Sequence, residues 1–415
     1  TMKHDVCVIG LGYIGLPTAS IFATKGLRVV GVDVRPTVVE TINRGELHFH
    51  EPDLDVLVRA AVQSGYLRAG AAPQPASVFI IAVPTPFSHG PKGEKIPDLS
   101  YVEQATRSLA PCVEPGNLVI LESTSPVGTT EMVRDWLVDE RARLSLPGKP
   151  GDFLFAHCPE RVLPGNMLKE LVANDRIAGG LTPEAGRVAV ELYQRFCTGE
   201  IFVTDARTAE MAKLTENSYR DVSIAFANEL SIICEKLGID VWELIRLANR
   251  HPRVKILQPG PGVGGHCIAV DPWFIVAAAP EEARLIRTAR EVNDAKPHHV
   301  LAKVRSAAAR LKEPVIACLG LAFKPDVDDL RESPAMEIAA EMAKFERSKL
   351  IVAEPHVREL PRTLAALSNV RLAPAEEAVR LADIVVLLVN HRQFSAIDRR
   401  LLEGKTVVDT RGLWR

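Results

Sequence analysis

No apolar run in this 415-residue chain reaches the length that would span a bilayer. The first strand-like segment begins almost at residue 3, so no cleavable leader is expected. Neither sign of charge dominates: the formal net charge is -2, so no basic excess argues for a nucleic-acid partner and no block of like charge suggests a tail. Cysteine is sparse and unpatterned. The seven cysteines (7, 112, 158, 197, 234, 267 and 318) show no CxxC spacing, and an odd number cannot all pair within one chain. That argues against a disulfide framework and a finger-like metal site, and suits a reducing compartment. Short repeats and low-complexity tracts are also missing. These absences lead us to expect a cytoplasmic protein that meets small molecules rather than nucleic acid or membrane.

What the chain does hold is apolar residue, 47% of the total, spread over a length that suggests two or three domains. Val- and Ile-rich runs at 5–9, 28–32, 78–83, 118–122 and 153–158 alternate with helical stretches, as in a parallel sheet covered on both faces. From Thr208 to about Leu237 the pattern becomes one long helix with Gly238 as its stop. The alternative is two shorter helices broken near Ser218. After Lys296-Pro297 a second α/β unit begins, with short strands at 315–319, 349–353, 384–389 and 406–408. The fold class is therefore α/β: two Rossmann-like open α/β domains joined by a long helix and a helical middle segment. The boundaries fall at 1–203, 204–296 and 297–415, and the long helix is expected to bridge domains and help form a subunit interface.

Gly10, Gly12 and Gly15 form GLGYIG, with Tyr13 and Ile14 inside it, directly after the strand DVCVI. Glycines so spaced permit a tight turn, close approach of backbone to a pyrophosphate, and packing of helix on sheet. Asp33 ends the next strand, 18 residues after Gly15, where a carboxylate can accept from ribose hydroxyls. Its charge would repel a 2′-phosphate, so the expected cofactor is NAD. Arg35 is the counter-signal, because an arginine there can hold that phosphate.

Other candidates follow strands or share a helix face. Thr85 and Thr124 stand just past strand ends, where hydroxyls can touch a cofactor or reacting centre, although turn formation and helix capping are the commoner uses. Glu160, in CPERVLPG, is either a general base or half of a surface ion pair with Arg161. Lys213 and Asn217 lie four apart on the long helix and can together donate hydrogen bonds to a developing oxyanion, where a solvated lysine is the bland reading. Cys267 closes the loop PGPGVGGHC, and Asp271 follows four residues on. Gly260, Gly262, Gly264 and Gly265 imply close approach of backbone to a ligand, which argues against a buried structural thiol. His266 lacks a second ligand at metal-binding spacing, so no metal is expected. A thiolate beside NAD permits two oxidations in one site. The aldehyde from the first is captured as a thiohemiacetal, the second yields a thioester, and water opens it to a carboxylate.

GLGYIGLP (10–17), PTP (84–86), STSPVGT (123–129), PER (159–161), KLTEN (213–217), GVGGHC (262–267) and LAFKPDVDDLRES (321–333) occur in order along essentially the whole chain. Together they resemble the UDP-glucose/UDP-mannose dehydrogenase family, the nucleotide-sugar 6-dehydrogenases. The resemblance implies an NAD domain, a helical middle that forms a homodimer, and a C-terminal domain for UDP. It also implies roles: Cys267 as nucleophile, Lys213 and Asn217 as oxyanion donors, Glu160 as the base for hydrolysis, and Asp271 with Thr124 in water positioning or proton transfer. Lys324 would meet the substrate phosphates, with Phe323, Arg161 and Gly264 also at the substrate. Arg331 would meet the NAD phosphates, and Arg253 would reach the sugar across the dimer. Where the UDP-glucose branch has GGSC or GGPC this chain has GGHC, which suits a 2-acetamido sugar. UDP-N-acetylmannosamine is the expected substrate, destined for bacterial surface polysaccharide. UDP-N-acetylglucosamine, a two-electron dehydrogenase and a non-catalytic nucleotide-sugar sensor are the competing readings.

Overall fold

A computed structural model describes residues 4–49, 51–91, 93, 95–162, 165–265 and 267–415. The chain divides into two compact units, 1–216 and 217–415. His266 lies outside the described residues.

The first unit is built on an eight-stranded sheet in the spatial order Leu67–Gly70, Val29–Val32, His4–Ile9, Ala76–Ile81, Leu118–Leu121, Leu154–His157, Arg176–Gly180, Ile201–Asp205. The first six strands give the 3-2-1-4-5-6 order of a dinucleotide-binding sheet. All are parallel, and all four positions of Val29–Val32 and of Leu118–Leu121 are buried, which is why they read as unbroken apolar runs. Sequence patterning missed three strands of this sheet. Leu67–Gly70 is a short edge strand with an exposed Arg68, Arg176–Gly180 ends in two glycines, and Ile201–Asp205 is largely exposed and runs straight into a helix. The last two also depart from the parallel expectation, because Arg176–Gly180 pairs antiparallel with Leu154–His157. The order reverses between His4–Ile9 and Ala76–Ile81, so ligands are expected beyond the carboxyl ends of those strands.

The long helix is continuous from Ala206 to Leu237, which removes the alternative of a break near Ser218. Gly238 ends it with φ of 71°, and Ile239 N–H returns to the Cys234 carbonyl at 2.8 Å.

In the second unit a five-stranded parallel sheet has the order Val370–Leu372, Lys349–Ala353, Val315–Leu319, Ile384–Leu387, Thr406–Asp409. This is again a Rossmann-like 3-2-1-4-5 arrangement. Pro297, read as the start of this unit, lies inside one helix, Arg284–Ala308. Lys296 and Pro297 are both buried there, so packing holds the helix together across a residue that cannot donate its backbone bond.

Candidate active site

In the first unit the fingerprint glycines divide the work expected of a dinucleotide loop. Gly10 adopts φ of 92°, and a Cβ there would stand 2.4 Å from the Ala82 carbonyl oxygen. A Cβ on Gly15 would stand 1.8 Å from the Gly10 carbonyl oxygen, so the helix Gly15–Thr24 can pack this closely only without a side chain. Gly12 has open space instead, with nothing within 4 Å of its missing Cβ. That helix begins with no side-chain cap, leaving N–H groups at its positive end for a pyrophosphate. These residues fit NAD.

Asp33 is nearly buried and accepts from Leu11 N–H at 3.3 Å and from Arg35 Nε at 3.1 Å. Burial alone would raise its pKa, but the hydrogen bonds and charge of Arg35 hold the carboxyl below the usual range. Arg35, the residue that argued for a 2′-phosphate, is spent on this carboxylate.

Thr85 and Thr124 meet, though not as two free hydroxyls: Thr85 Oγ1 donates to the Thr124 carbonyl at 2.6 Å and ties the two post-strand loops together. The loop after Thr124 is set by Glu210, which no local pattern singled out. This buried carboxylate accepts from Gly128 N–H (2.6 Å), Thr130 N–H (2.7 Å) and Thr130 Oγ1 (2.6 Å), capping the helix Thr129–Arg143 from a position 80 residues away.

Glu160 pairs with a different partner from the one expected. It is buried against Arg176, with Oε2 2.5 Å from Nη2, while Arg161 offers it only a backbone N–H at 2.7 Å. The Arg161 guanidinium goes to Glu216 at 2.8 Å. Arg176 lies over the ring of Tyr193, 4.6 Å from its centroid. Nearby, burial first and then the charge of Glu160 push the Glu122 carboxyl up to about 8, and it accepts from Thr18 at 3.3 Å and Tyr193 at 3.2 Å. Lys213 is half-buried on the long helix. Burial, with Lys213 adding to it, drives His157 down to about 3, so this ring stays neutral.

In the second unit Asn217, Asp271 and Cys267 come together. Asn217 Nδ2 donates to Asp271 Oδ2 at 2.5 Å with both side chains buried. Asp271 opens the helix Asp271–Ala278, and the Cys267 carbonyl accepts its N–H at 2.8 Å and that of Val270 at 3.0 Å. The cysteine therefore sits on the turn that enters the helix, and it is exposed.

The glycines of the loop lie close to other parts of the protein. A Cβ on Gly264 would lie 2.3 Å from the Glu332 carbonyl oxygen, one on Gly260 2.7 Å from Arg411 Nη1, and one on Gly262 3.0 Å from Pro334. A Cβ on Gly265, at φ of 88°, would meet the Phe323 ring at 3.3 Å. The close approach is to the protein itself, and it presses the loop against the segment carrying Phe323. A buried network holds the start of the loop: Arg290 to Asp221 (2.6 Å), Asn293 to Asp221 (2.8 Å), Asn228 to Asn293 (2.9 Å) and Gly260 N–H to Asn228 (2.8 Å). Sequence reasoning missed Asp221, Asn228, Arg290 and Asn293 because each has a partner on another element.

Lys324 Nζ lies 5.6 Å from the centre of the Phe323 ring. Arg331 makes a two-pronged pair with Asp329, at 2.9 and 2.7 Å, so meeting a phosphate would mean exchanging that partner. Arg253 stays outside these groups. It is exposed, and its backbone N–H reaches His251 Nδ1 at 3.4 Å.

Comparison with known proteins matches the chain in three successive parts. The NAD-binding domain of the UDP-glucose/GDP-mannose dehydrogenase family matches residues 4–197, its central domain 207–295 and its UDP-binding domain 317–415. The family description gives GDP-mannose where the motif reading had UDP-mannose. An NDP-N-acetyl-D-galactosaminuronic acid dehydrogenase of Ralstonia nicotianae is 61% identical over 414 residues, covering 99% of this chain and 96% of the relative. A UDP-N-acetyl-D-mannosamine dehydrogenase of Escherichia coli K12 is 56% identical over 421 residues, covering 99% of both. Among solved structures, the UDP-D-ManNAc dehydrogenase of Pyrococcus horikoshii superimposes with a TM-score of 0.88 at 39% identity, covering 99% of this chain and 96% of that one. With three domain matches spanning nearly its whole length and relatives this similar, the chain belongs to the UDP-glucose/GDP-mannose dehydrogenase family.

Proposed function

We propose that this NAD-dependent nucleotide-sugar dehydrogenase oxidises UDP-N-acetyl-D-mannosamine at C6 to UDP-N-acetyl-D-mannosaminuronate, a four-electron reaction that serves surface polysaccharide synthesis. The observation that carries the mechanism is Cys267. It is the exposed member of the seven cysteines, and it stands on the turn that leads into Asp271 and the Asn217 amide. NAD, when bound, would supply the oxidation: one NAD would accept a hydride at each stage, the first NADH being replaced by a second NAD in between, and the C6 hydroxyl proton would leave to water. The Cys267 thiolate adds to the aldehyde carbon, and the new alkoxide accepts hydrogen bonds from Lys213 and Asn217. After the second oxidation the carbon is a thioester. Glu160 then takes a proton from water as its oxygen bonds to that carbon and the C–S bond breaks, which restores the thiolate and releases the acid. Asp271 holds the Asn217 amide in place for this sequence. Phe323 and Lys324 bind the UDP portion, Arg331 exchanges Asp329 for the NAD phosphates, and the chain works as the three domains 1–203, 204–296 and 297–415.

A second reading has specific support: the 61% identical relative is named for an N-acetylgalactosaminuronic acid, and the mannosamine enzyme is 56% identical. The two sugars differ in configuration at C2 and C4. A pocket that leaves one buried donor unpaired with the wrong stereoisomer loses roughly 1–3 kcal/mol, about ten- to a hundredfold in kcat/KM. UDP-N-acetylmannosamine, UDP-N-acetylgalactosamine, UDP-N-acetylglucosamine and UDP-glucose should be compared under identical conditions. The expected result is about two NADH per sugar consumed, no free aldehyde, and the highest kcat/KM for the manno sugar. A higher value for the galacto sugar selects the second reading, and a yield of one NADH with aldehyde product rejects the four-electron mechanism.

A homodimer is part of the proposal. Tyr219, Phe226, Ile233 and Leu237 are exposed at spacings of seven, seven and four along the long helix, which is an apolar stripe on one face. Phe226→Glu places a charge in that stripe, and light scattering is expected to report a shift from dimer to monomer. A variant that keeps the wild-type mass removes the stripe from the interface. In such a dimer Arg253 would reach the partner's sugar. The scattered cysteines accord with the cytoplasm, and among the described residues no helix is long and apolar enough to cross a membrane.

A further inference from the structure

In each sheet the loop after the first strand is caught by an acidic residue at the end of the second. Gly320 repeats the left-handed backbone of Gly10, with φ of 94° against 92°. As Leu11 N–H donates to Asp33, Leu321 and Ala322 N–H donate to Glu354 Oε2, at 2.7 and 3.2 Å. The second carboxylate differs in being closed in. Its side chain is 0% exposed, Oε1 receives His356 N–H at 3.1 Å, and Oε2 also faces His391 Nε2 at 3.0 Å. Glu354 therefore cannot touch a ligand from where it stands, and its bonds are all to the protein.

His391, fully buried, extends this chain of bonds. Asp326 N–H donates to His391 Nδ1 at 2.9 Å. An amide nitrogen can only donate, so Nδ1 is the bare nitrogen and Nε2 carries the proton given to Glu354. Asp326 has φ of 59°, a conformation that a residue other than glycine keeps only when its surroundings hold it. Segment 321–326 is thus fastened at one end by Glu354 and at the other by His391, with Phe323 and Lys324 between. Asp326, His356 and His391 also bring potential ligand atoms within 4.8 Å of one another. Both ring nitrogens of His391 are already committed, so no cation is assigned to them.

We propose that Glu354 and His391 are positioning residues for the nucleotide: they hold segment 321–326 in the shape that presents Phe323 and Lys324 to the UDP portion of the substrate. The proposal rests on the reading of those two residues as substrate-binding. It predicts an effect on UDP affinity that leaves the chemical step and NAD binding alone.

His391→Gln and His391→Asn separate the two bonds. The glutamine keeps a donor near the place of Nε2–H and loses the acceptor at Nδ1, whereas the asparagine keeps an acceptor near Nδ1 and loses the donor. UDP binding to the full chain is measured by calorimetry, with KM for UDP-sugar and NAD, kcat, and hydrogen exchange at the 321–326 amides. For His391→Gln, UDP affinity is expected to fall about tenfold with a matching rise in sugar KM, while kcat and the NAD KM stay within about twofold. Exchange at 321–326 should quicken, and His391→Asn should recover most of the affinity. Glu354→Asp keeps the charge but withdraws it from Leu321 and Ala322, and it should weaken UDP binding by a similar factor should the glutamine variant not fold. Unchanged UDP affinity in a folded His391→Gln or Glu354→Asp, or a loss matched by an equal fall in kcat, overturns the proposal. Wild-type protein that fails to bind UDP overturns instead the assignment of Phe323 and Lys324.

Discussion

Cys267→Ser is expected to abolish formation of the sugar acid while NAD and the nucleotide sugar still bind. Serine keeps the size of the side chain, and the position is exposed on a turn, so the substitution leaves the packing of the loop on Phe323 and Pro334 unchanged. What changes is nucleophilicity. A thiol is partly ionised near neutral pH and attacks carbonyl carbon readily, whereas a hydroxyl needs a base to activate it. No thioester forms, so the second oxidation has no route through the protein. Product analysis by mass spectrometry, together with NADH yield, provides the check. Acid production at the wild-type rate would remove Cys267 from the mechanism.

Lys213→Ala should lower kcat on the order of 10²–10³-fold, the usual worth of one donor to a developing oxyanion, equivalent to about 2.7–4 kcal/mol. Alanine suits a helix interior, and Lys213 is half-buried within the continuous helix Ala206–Leu237, so the variant should fold. The loss should fall on kcat and on kcat/KM alike, because the donor acts on charge that appears only as the thiolate adds. A rise in KM with unchanged kcat would mark Lys213 as a binding residue instead. Asn217 is a poorer place for this test. Its amide is also a donor to the buried Asp271 carboxylate at 2.5 Å, so its removal would disturb that acid as well as the oxyanion.

Features written in local order were legible before the fold was known. GLGYIG after an apolar strand, Asp33 at the end of the next, the helix stop at Gly238 and the Cys267–Asp271 spacing each depend on neighbours a few residues away, and each stands where it was expected. The strands that escaped notice lacked the apolar run that buries both faces of a central strand, as Arg176–Gly180 and Ile201–Asp205 illustrate.

Choices among distant partners were not legible. Next to Glu160 in the chain stands Arg161, yet the buried arginine that pairs with it is Arg176, brought alongside by an antiparallel strand that patterning did not reveal. Glu210 fixes a loop 80 residues away, and Glu354 meets His391 across the second sheet. The glycines before Cys267 announced a close approach, but only the folded chain showed that Glu332, Pro334, Phe323 and Arg411 are what they approach. Sequence by itself determined the family, the cofactor, the central buried strands and the long helix, because backbone conformation and hydrophobic period act over a few residues. Tertiary structure decided which charges are paired and which loops are held, because a buried polar group must find its partner in space, and that partner can come from anywhere in the chain.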